Sequence, residues 1–411
     1  MKIIASSNTR ALRQLIERRA TTDRQIDRQV ARIVSGVRRR GDQALREYAR
    51  RFDQVTGALE VSRRDIRNGA RKTPPAVRRA IQEAARHIRR VASRQVPKSW
   101  RTTVVLGVEV EQRVVPLERV GCYVPGGRYP LSSSLLMTAI PARVAGVRDI
   151  IAACPRPEPA VLSAALEAGV SRLYQLGGAH AIAAFAYGTE TVPAVDKIVG
   201  PGNAYVSAAK ALISNDCPID FYAGPTEIVV ISRRGNPDWI AADLIAQAEH
   251  DPDARAILLT SSTTLARAVS QAVTARLASY PTARPAVERH GVAVITRTLA
   301  EAVQLCNQIA PEHAVCETES VARRLTRAGT VFVGPYAAQA AGDYATGSNH
   351  VLPTGGAARF RGGLSASDFV RVSTVQRLNR KGLKRVAPTA ISLANAEGLV
   401  AHAASVATRV A

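Results

Sequence analysis

A chain of 411 residues, 46% of them hydrophobic, can bury several cores, and two or more domains are expected. No uncharged apolar stretch reaches the roughly 18 residues that cross a bilayer, and the opening MKIIASSNTRALRQLIERRA lacks a signal-peptide core. The expectation is therefore a cytoplasmic protein with no membrane partner. Its net charge of +23 is unevenly placed: residues 1–100 hold 26 Lys and Arg against 9 Asp and Glu, +17 of the total.

Those first hundred residues read as helices. In RQIDRQVARIVSGVRRR and AVRRAIQEAARHIRRVASR apolar residues recur every three or four positions, and Thr73-Pro74-Pro75 interrupts the pattern. The arginines are interleaved with Ile, Val and Ala rather than with stacking aromatics, and no nucleic-acid-binding motif accompanies them. They read as a solvated helix face, not as a nucleic-acid footprint.

From Val104 onward the character changes. Short β-branched runs ending in Gly or Pro (RDIIAACP, RLYQLGG, VDKIVGPG, TEIVVIS, RAILLTS, VAVITR, GTVFVG) alternate with Ala-rich helical stretches. Continuous apolar strands separated by helices predict parallel sheets covered on both faces. Two doubly wound, incomplete Rossmann-like α/β units are expected, one over about 120–225 and another resuming near Thr226. The irregular GSNHVLPTGGAARFRGGLSASDF is too long for an ordinary connector and is a site candidate. The end, ISLANAEGLVAHAASVATRVA, reads as one Ala-rich helix.

Five dispersed cysteines form no CxxC motif and read as buried thiols in a reducing compartment. Of the seven histidines, His87 and His290 sit on polar segments and are assigned to the surface. Gln247 and His250, at i and i+3 in LIAQAEHDPDA, lie on one helical face, and their oxygen and nitrogen suit a divalent ion such as Zn2+; such pairs are also common by chance. AAGDYATGSNHVLP offers Asp343 and His350, equally consistent with a polar turn, and AEGLVAH places Glu397 and His402 about 140° apart on a helix. The adjacent Glu312 and His313 of PEHAVCET are either surface neighbours or a proton-handling pair. VGCYVPGGRYPLSSS and VDKIVGPGNAYVSAAK each run strand, glycine turn, helix, a shape that attracts phosphate without being a G-x-G-x-x-G fingerprint.

In order and spacing, CYVPGGRYPLSSSLLMTAIPARVAGV, GGAHAIAAFAYGTETVPAVDKIVGPGNAYV, DFYAGPTE, AQAEH, APEH, GDYATGSNHVLPTGG and AEGLVAH resemble the blocks of the histidinol dehydrogenase family, over nearly the whole chain. The resemblance implies NAD-dependent oxidation of L-histidinol to L-histidine through L-histidinal, closing histidine biosynthesis, with one zinc per subunit. It implies zinc ligands Gln247, His250, Asp343 and His402, the last from the other subunit of a homodimer with exchanged tails. Glu312 and His313 match the catalytic pair. Thr226, Glu397 and His350, together with His313 and the ligands, match substrate-contacting positions; Tyr123, His180 and Asn203 match cofactor-contacting ones. Two residues depart from the pattern: Thr226 replaces an expected serine, adding a methyl, and His180 replaces an expected glutamine. The organisation expected is a helical arm over 1–20, a discontinuous α/β domain of 21–122 with 226–365, a second α/β domain over 123–225, and an exchanged tail over 366–411.

Chemically, hydride loss from a primary alcohol needs a base at the hydroxyl, and an imidazole titrating near ~6.5 suits His313 to that role. Water must then add to the aldehyde, and a Glu312 carboxylate is expected to orient and deprotonate it. Zinc could act as Lewis acid or as template; the resemblance implies the template role, with the substrate's imidazole and amino nitrogens completing its coordination. The alternative is a zinc- and NAD-dependent paralogue for another small polar alcohol, such as a sulfonated diol.

Overall fold

The structure, a computed structural model, describes residues 1–17, 24–126, 131–222 and 224–411. Residues 127–130 of the first glycine loop, and 18–20 at the end of the expected arm, lie outside these. Among the described residues thirteen strands form three sheets. In chain order they are β1 (Lys2–Ala5), β2 (Trp100–Val105), β3 (Val108–Pro116), β4 (Arg119–Tyr123), β5 (Asp149–Ala153), β6 (Arg172–Tyr174), β7 (Lys197–Val199), β8 (Glu227–Ile231), β9 (Arg255–Thr260), β10 (Val292–Ile295), β11 (His313–Cys316), β12 (Thr330–Val333) and β13 (Val370–Leu378).

The large sheet has the order β1-β10-β9-β8-β11-β12 and is parallel throughout. Its strands are apolar on both faces for a simple geometric reason. In β8, Ile228 and Val230 point into a core with the helices Pro237–Ala248, Thr263–Arg276 and Arg284–His290, while Val229 and Ile231 point into one with the helix Leu299–Ile309. The small sheet, β6-β5-β4-β7, is also parallel and is likewise sandwiched. Ile150 and Ala152 of β5 face the helices Arg63–Arg71, Pro75–Ala92, Ser132–Ala145 and Pro159–Ala168; Ile151 and Ala153 face Arg24–Arg40, Gly178–Tyr187 and Ala204–Ile213.

The two α/β units and the restart at Thr226 are thus present, but the grouping of segments differs from the expected one. Residues 24–92 pack on the small sheet, because the apolar stripes Val30–Val34–Val37 and Ile81–Ala85–Ile88 complete its two cores. The N-terminus, expected as a helical arm, opens with β1, which pairs with β10; a helix, Thr9–Ile16, follows. β2, β3 and β13 form an antiparallel ribbon outside both units, so the 366–411 segment begins by pairing with its own chain. The tail is two helices, Arg380–Ala396 and Val400–Ala407, separated at Gly398, whose φ of 75° ends the first. All five cysteines are buried and free, and no described helix is long and apolar enough to cross a membrane.

Candidate functional site

The helix Leu299–Ile309 stops at Ala310, a non-glycine residue held at φ 53°. Pro311 and Glu312 follow, and His313 opens β11 at the amino edge of the large sheet. Beside them, Thr226 and Glu227 open β8, the neighbouring strand in register. Thr226 Oγ1 donates to Glu312 Oε2, and the Glu227 backbone N–H donates to the same oxygen at 3.0 Å. Thr226 Oγ1 in turn accepts from Gln247 Nε2. The hydroxyl that matters for this link survives the serine-to-threonine departure.

Burial dominates the proton affinities here. It pushes the Glu312 carboxyl up to about 8, against the lowering effect of the Thr226 and Glu227 hydrogen bonds. It pushes His313 down to about 3, helped by the nearby imidazoles His250 and His350. Glu312 therefore carries a proton at neutral pH in the empty site, where the sequence led us to expect a carboxylate. His313 Nδ1 is buried without a partner and lies 3.9 Å from Glu312 Oε2.

Gln339, four residues before Asp343 on the short helix Gln339–Tyr344, was not read from the sequence. Its Nε2 donates to Asp343 Oδ2 at 2.7 Å and approaches His313 Nε2 at 3.3 Å. An amide N–H can only donate, so His313 Nε2 presents its lone pair and Nδ1 carries the hydrogen. The i, i+4 spacing from Asp343 was the available signal, hidden because glutamine is unremarkable on any helix.

Several expected ligands do converge. Asp343 is buried and its proton affinity is raised by that burial, with His350 and His250 acting on it in the opposite sense. His250 sits just past the end of Pro237–Ala248, and Gln247, fully buried on that helix, has an Oε1 with no hydrogen-bond partner. A buried, orphaned amide oxygen costs about 1–3 kcal/mol unless something takes its lone pairs. An amide oxygen, a carboxylate and an imidazole suit zinc, and this orphan marks where a cation fits. Among the described residues, no three His, Cys, Asp or Glu side chains gather closely enough to hold an ion on their own.

His350 lies between the two units. Its Nδ1–H donates to the Asp343 carbonyl at 2.8 Å, and its Nε2 faces Ser134 Oγ at 3.4 Å, on the helix after the first glycine loop. His87, expected on the surface, is half-exposed, and its Nδ1–H ties the helix Pro75–Ala92 to the Ala345 carbonyl at 2.7 Å. Glu397 and His402 are not brought to this site within the chain. Both are exposed on the tail, and no hydrogen bond or ion pair joins either to the residues above.

The expected cofactor residues flank the carboxyl edge of the small sheet. The strand order reverses there between β4 and β7, the place where open α/β sheets bind ligands. Tyr123 ends β4, and its hydroxyl accepts from Gly178 N at 3.0 Å. Asn203 is exposed and caps the helix Ala204–Ile213 by accepting from Val206 N. Gly200, at φ 114°, lies so close to β4 that a Cβ would sit 2.1 Å from the Tyr123 carbonyl oxygen. A buried ion pair not anticipated from the sequence braces this glycine: Asp220 accepts the Gly200 N–H at 2.7 Å, and Lys210, paired with Asp220, donates to the Gly200 carbonyl at 2.9 Å. His180 is oriented away from the expected role. It is 1% exposed, with Nε2 2.7 Å from Asp53 Oδ2, which also accepts from Gly177 N. The imidazole thus fixes the turn rather than offering that nitrogen to a ligand.

Comparison with known proteins identifies the family. The family model described as Histidinol dehydrogenase matches residues 16–410. Histidinol dehydrogenase from Methanothermobacter thermautotrophicus is 44% identical, over 98% of this chain and 97% of its own. That from Halobacterium salinarum is 46% identical, over 96% and 95%. The crystal structure of histidinol dehydrogenase from Elizabethkingia anophelis superposes with a TM-score of 0.94 at 33% identity, covering 100% of this chain and 98% of that one. With Glu312, His313, Gln247 and Asp343 drawn together at one sheet edge, the chain belongs to the histidinol dehydrogenase family.

Proposed function

We propose that the chain oxidises L-histidinol to L-histidine with two molecules of NAD, through L-histidinal, as the closing step of histidine biosynthesis. Beyond family membership, the observation that carries this reading is the chain of contacts Gln247–Thr226–Glu312, with His313 alongside. It ties a cation-seeking amide to an acid–base pair.

Gln247, His250 and Asp343 would hold zinc, with His402 of a second copy as the fourth ligand. Bound there, zinc supplies a template for the substrate's imidazole and amino nitrogens. The remaining chemistry belongs to the protein. His313 enters as a neutral ring, held in the empty site well below the ~6.5 expected of it, and its one lone pair, on Nε2, must turn from Gln339 to take the hydroxyl proton as hydride departs from the carbinol carbon to NAD. Glu312 keeps Oε2 occupied by Thr226 and Glu227, which leaves Oε1 as the oxygen that holds or releases a proton. Once ionised, it can draw a proton from the water that adds to the aldehyde, and the hydrate then passes its hydride to a second NAD while His313, having released its first proton, takes the hydroxyl proton. His350 would line the substrate pocket, with Glu397 from the second copy meeting the substrate ammonium. Tyr123 and Asn203 would contact the cofactor, with His180 acting behind them through Asp53 and Gly177.

A homodimer with exchanged tails is part of this reading. It is supported by the exposed apolar side chains of the ribbon and tail, among them Val104, Leu106, Leu393 and Val400. Steady-state assay with L-histidinol and NAD tests the function. Two NADH per histidine formed is expected; preference for a diol lacking the amine would replace this reading with the paralogue.

A further inference from the structure

In the large sheet the chain runs from β8 outward through β9 to β10, then returns to the other side of β8 as β11. The connections therefore diverge at the carboxyl ends of β8 and β11, opening a crevice of the kind that binds ligands in doubly wound folds. Thr226, Glu312 and His313 all lie at the opposite, amino ends of these strands, so this crevice has no part in the reaction. It holds a cavity of about 300 Å³ lined by Ile231, Ile240, Val315 and Pro335 among others.

Three features define what would fit. First, Trp239 lines the cavity and its ring lies 5.8 Å from that of Tyr336, the two inclined at 44°. They are 48% and 88% exposed, an unusual outlay of aromatic surface unless something flat covers it. Second, Asp243 lines the same cavity; burial raises its carboxyl to about 6, with the backbone N–H of Gln339 acting in the opposite sense. Third, the groups that would seat a phosphate at the end of β8 are already taken. Ser232 Oγ and the N–H groups of Arg233 and Arg234 all donate to Glu317 Oε1, at 2.5, 3.2 and 3.0 Å.

We infer that this crevice binds a small planar nitrogen heterocycle bearing a positive charge or N–H donors, its ring against Trp239 and Tyr336 and its donor on Asp243. Glu317, lining the cavity with Arg234, holds the backbone donors a phosphate ester would need, whereas a ring with N–H donors gains from the aromatic faces and from the Asp243 carboxyl. Occupancy reaches the other edge of the sheet through one residue. Asp243 fixes the backbone of Gln339, and the Gln339 side chain contacts Asp343 and His313.

The chain has two tryptophans, Trp100 and Trp239, so indole NMR with 15N-labelled tryptophan reports the crevice directly. The zinc-loaded full chain, its reaction site filled by saturating L-histidine, is titrated with 2-aminobenzimidazole by calorimetry and by indole NMR. Expected are one saturable site per chain, a shift of the Trp239 signal, and affinity weakened about 10-fold in Asp243→Asn, as for loss of a charge-assisted hydrogen bond. Tyr336→Ala should weaken it about 3-fold, the share of one aromatic face. Affinity in His313→Ala should equal that of the parent. The inference is overturned by absence of saturable binding, by unchanged affinity in Asp243→Asn, or by loss in His313→Ala, which would put the probe in the reaction site. Because binding is read without turnover, failure here leaves the proposed reaction standing, and failure of that reaction leaves the crevice standing.

Discussion

Thr226 stands between Gln247 and Glu312 as a relay, receiving the amide hydrogen of one and giving its own to the carboxyl of the other. The orientation is forced, since Gln247 Nε2 can only donate and a hydroxyl has one hydrogen to give. Turning that hydrogen toward Glu312 leaves Gln247 Oε1 free for a cation.

Thr226→Ser keeps the relay and should leave kcat/KM within about 3-fold. Thr226→Val keeps the shape but strands the Gln247 amide and a Glu312 lone pair. It should lower stability by about 1–3 kcal/mol and kcat/KM by about 10- to 100-fold. Steady-state kinetics and urea unfolding of both variants check this, and a fully active Thr226→Val would remove the hydroxyl from the site's chemistry.

Glu312 is half protonated near pH 8 in metal-free protein. Infrared difference spectra should show its carboxylic C=O band at pH 7 and its loss as pH rises through about 8, with no such band in Glu312→Gln. The sign for stability follows from the raised value: the contribution is fully present below the unfolded carboxyl's pKa and disappears as pH climbs through about 8. Zinc should move the transition to lower pH, because a nearby cation favours the carboxylate. His313, near 3, should stay neutral throughout this range.

Removing the Gln339 amide should free the His313 ring. Gln339→Ala should lower kcat by about 10- to 100-fold, with a smaller change in KM and accelerated zinc release as Asp343 loses its donor. Gln339→Glu sets a second carboxylate against Asp343 and should do no better. Metal content and kcat measured together decide the matter: normal zinc retention and kcat in Gln339→Ala would make the contact incidental.

Tail exchange has its own test. His313→Ala and His402→Ala chains, each inactive alone, should regain activity when mixed, since each mixed dimer would rebuild one complete site. Lack of recovery in dimers shown by mass spectrometry to be mixed would place His402 outside the metal cage.

The sequence showed the strands of the two parallel sheets because their apolar runs have no other physical use, and β8 and β9 fall within TEIVVIS and RAILLTS. It also showed the glutamate, histidine, amide and carboxylate that converge at the large sheet's amino edge. It could not reveal that helices 24–92 belong to the small sheet, because an amphipathic stripe states what it must bury without naming the partner. The β2–β3–β13 ribbon was missed because its strands are largely exposed and carry no buried run. Gln339, Asp53 and the Lys210–Asp220 pair were invisible for a related reason. Asp53 lies 127 positions from His180, Lys210 and Asp220 meet only because the chain turns between them, and the i, i+4 pair Gln339 and Asp343 looks like any other on a helix.

The pairing of β1 with β10 sets Lys2 beside Val292 and Ala5 beside Ile295. On a ribosome, that first strand emerges long before the strand it will flank, so the large sheet's outer rung must wait while the smaller unit condenses. An edge left bare for that interval invites intermolecular β-pairing. Refolding yield should therefore depend on protein concentration more steeply than native stability would suggest, with chaperone demand greatest before residues 292–295 are synthesised.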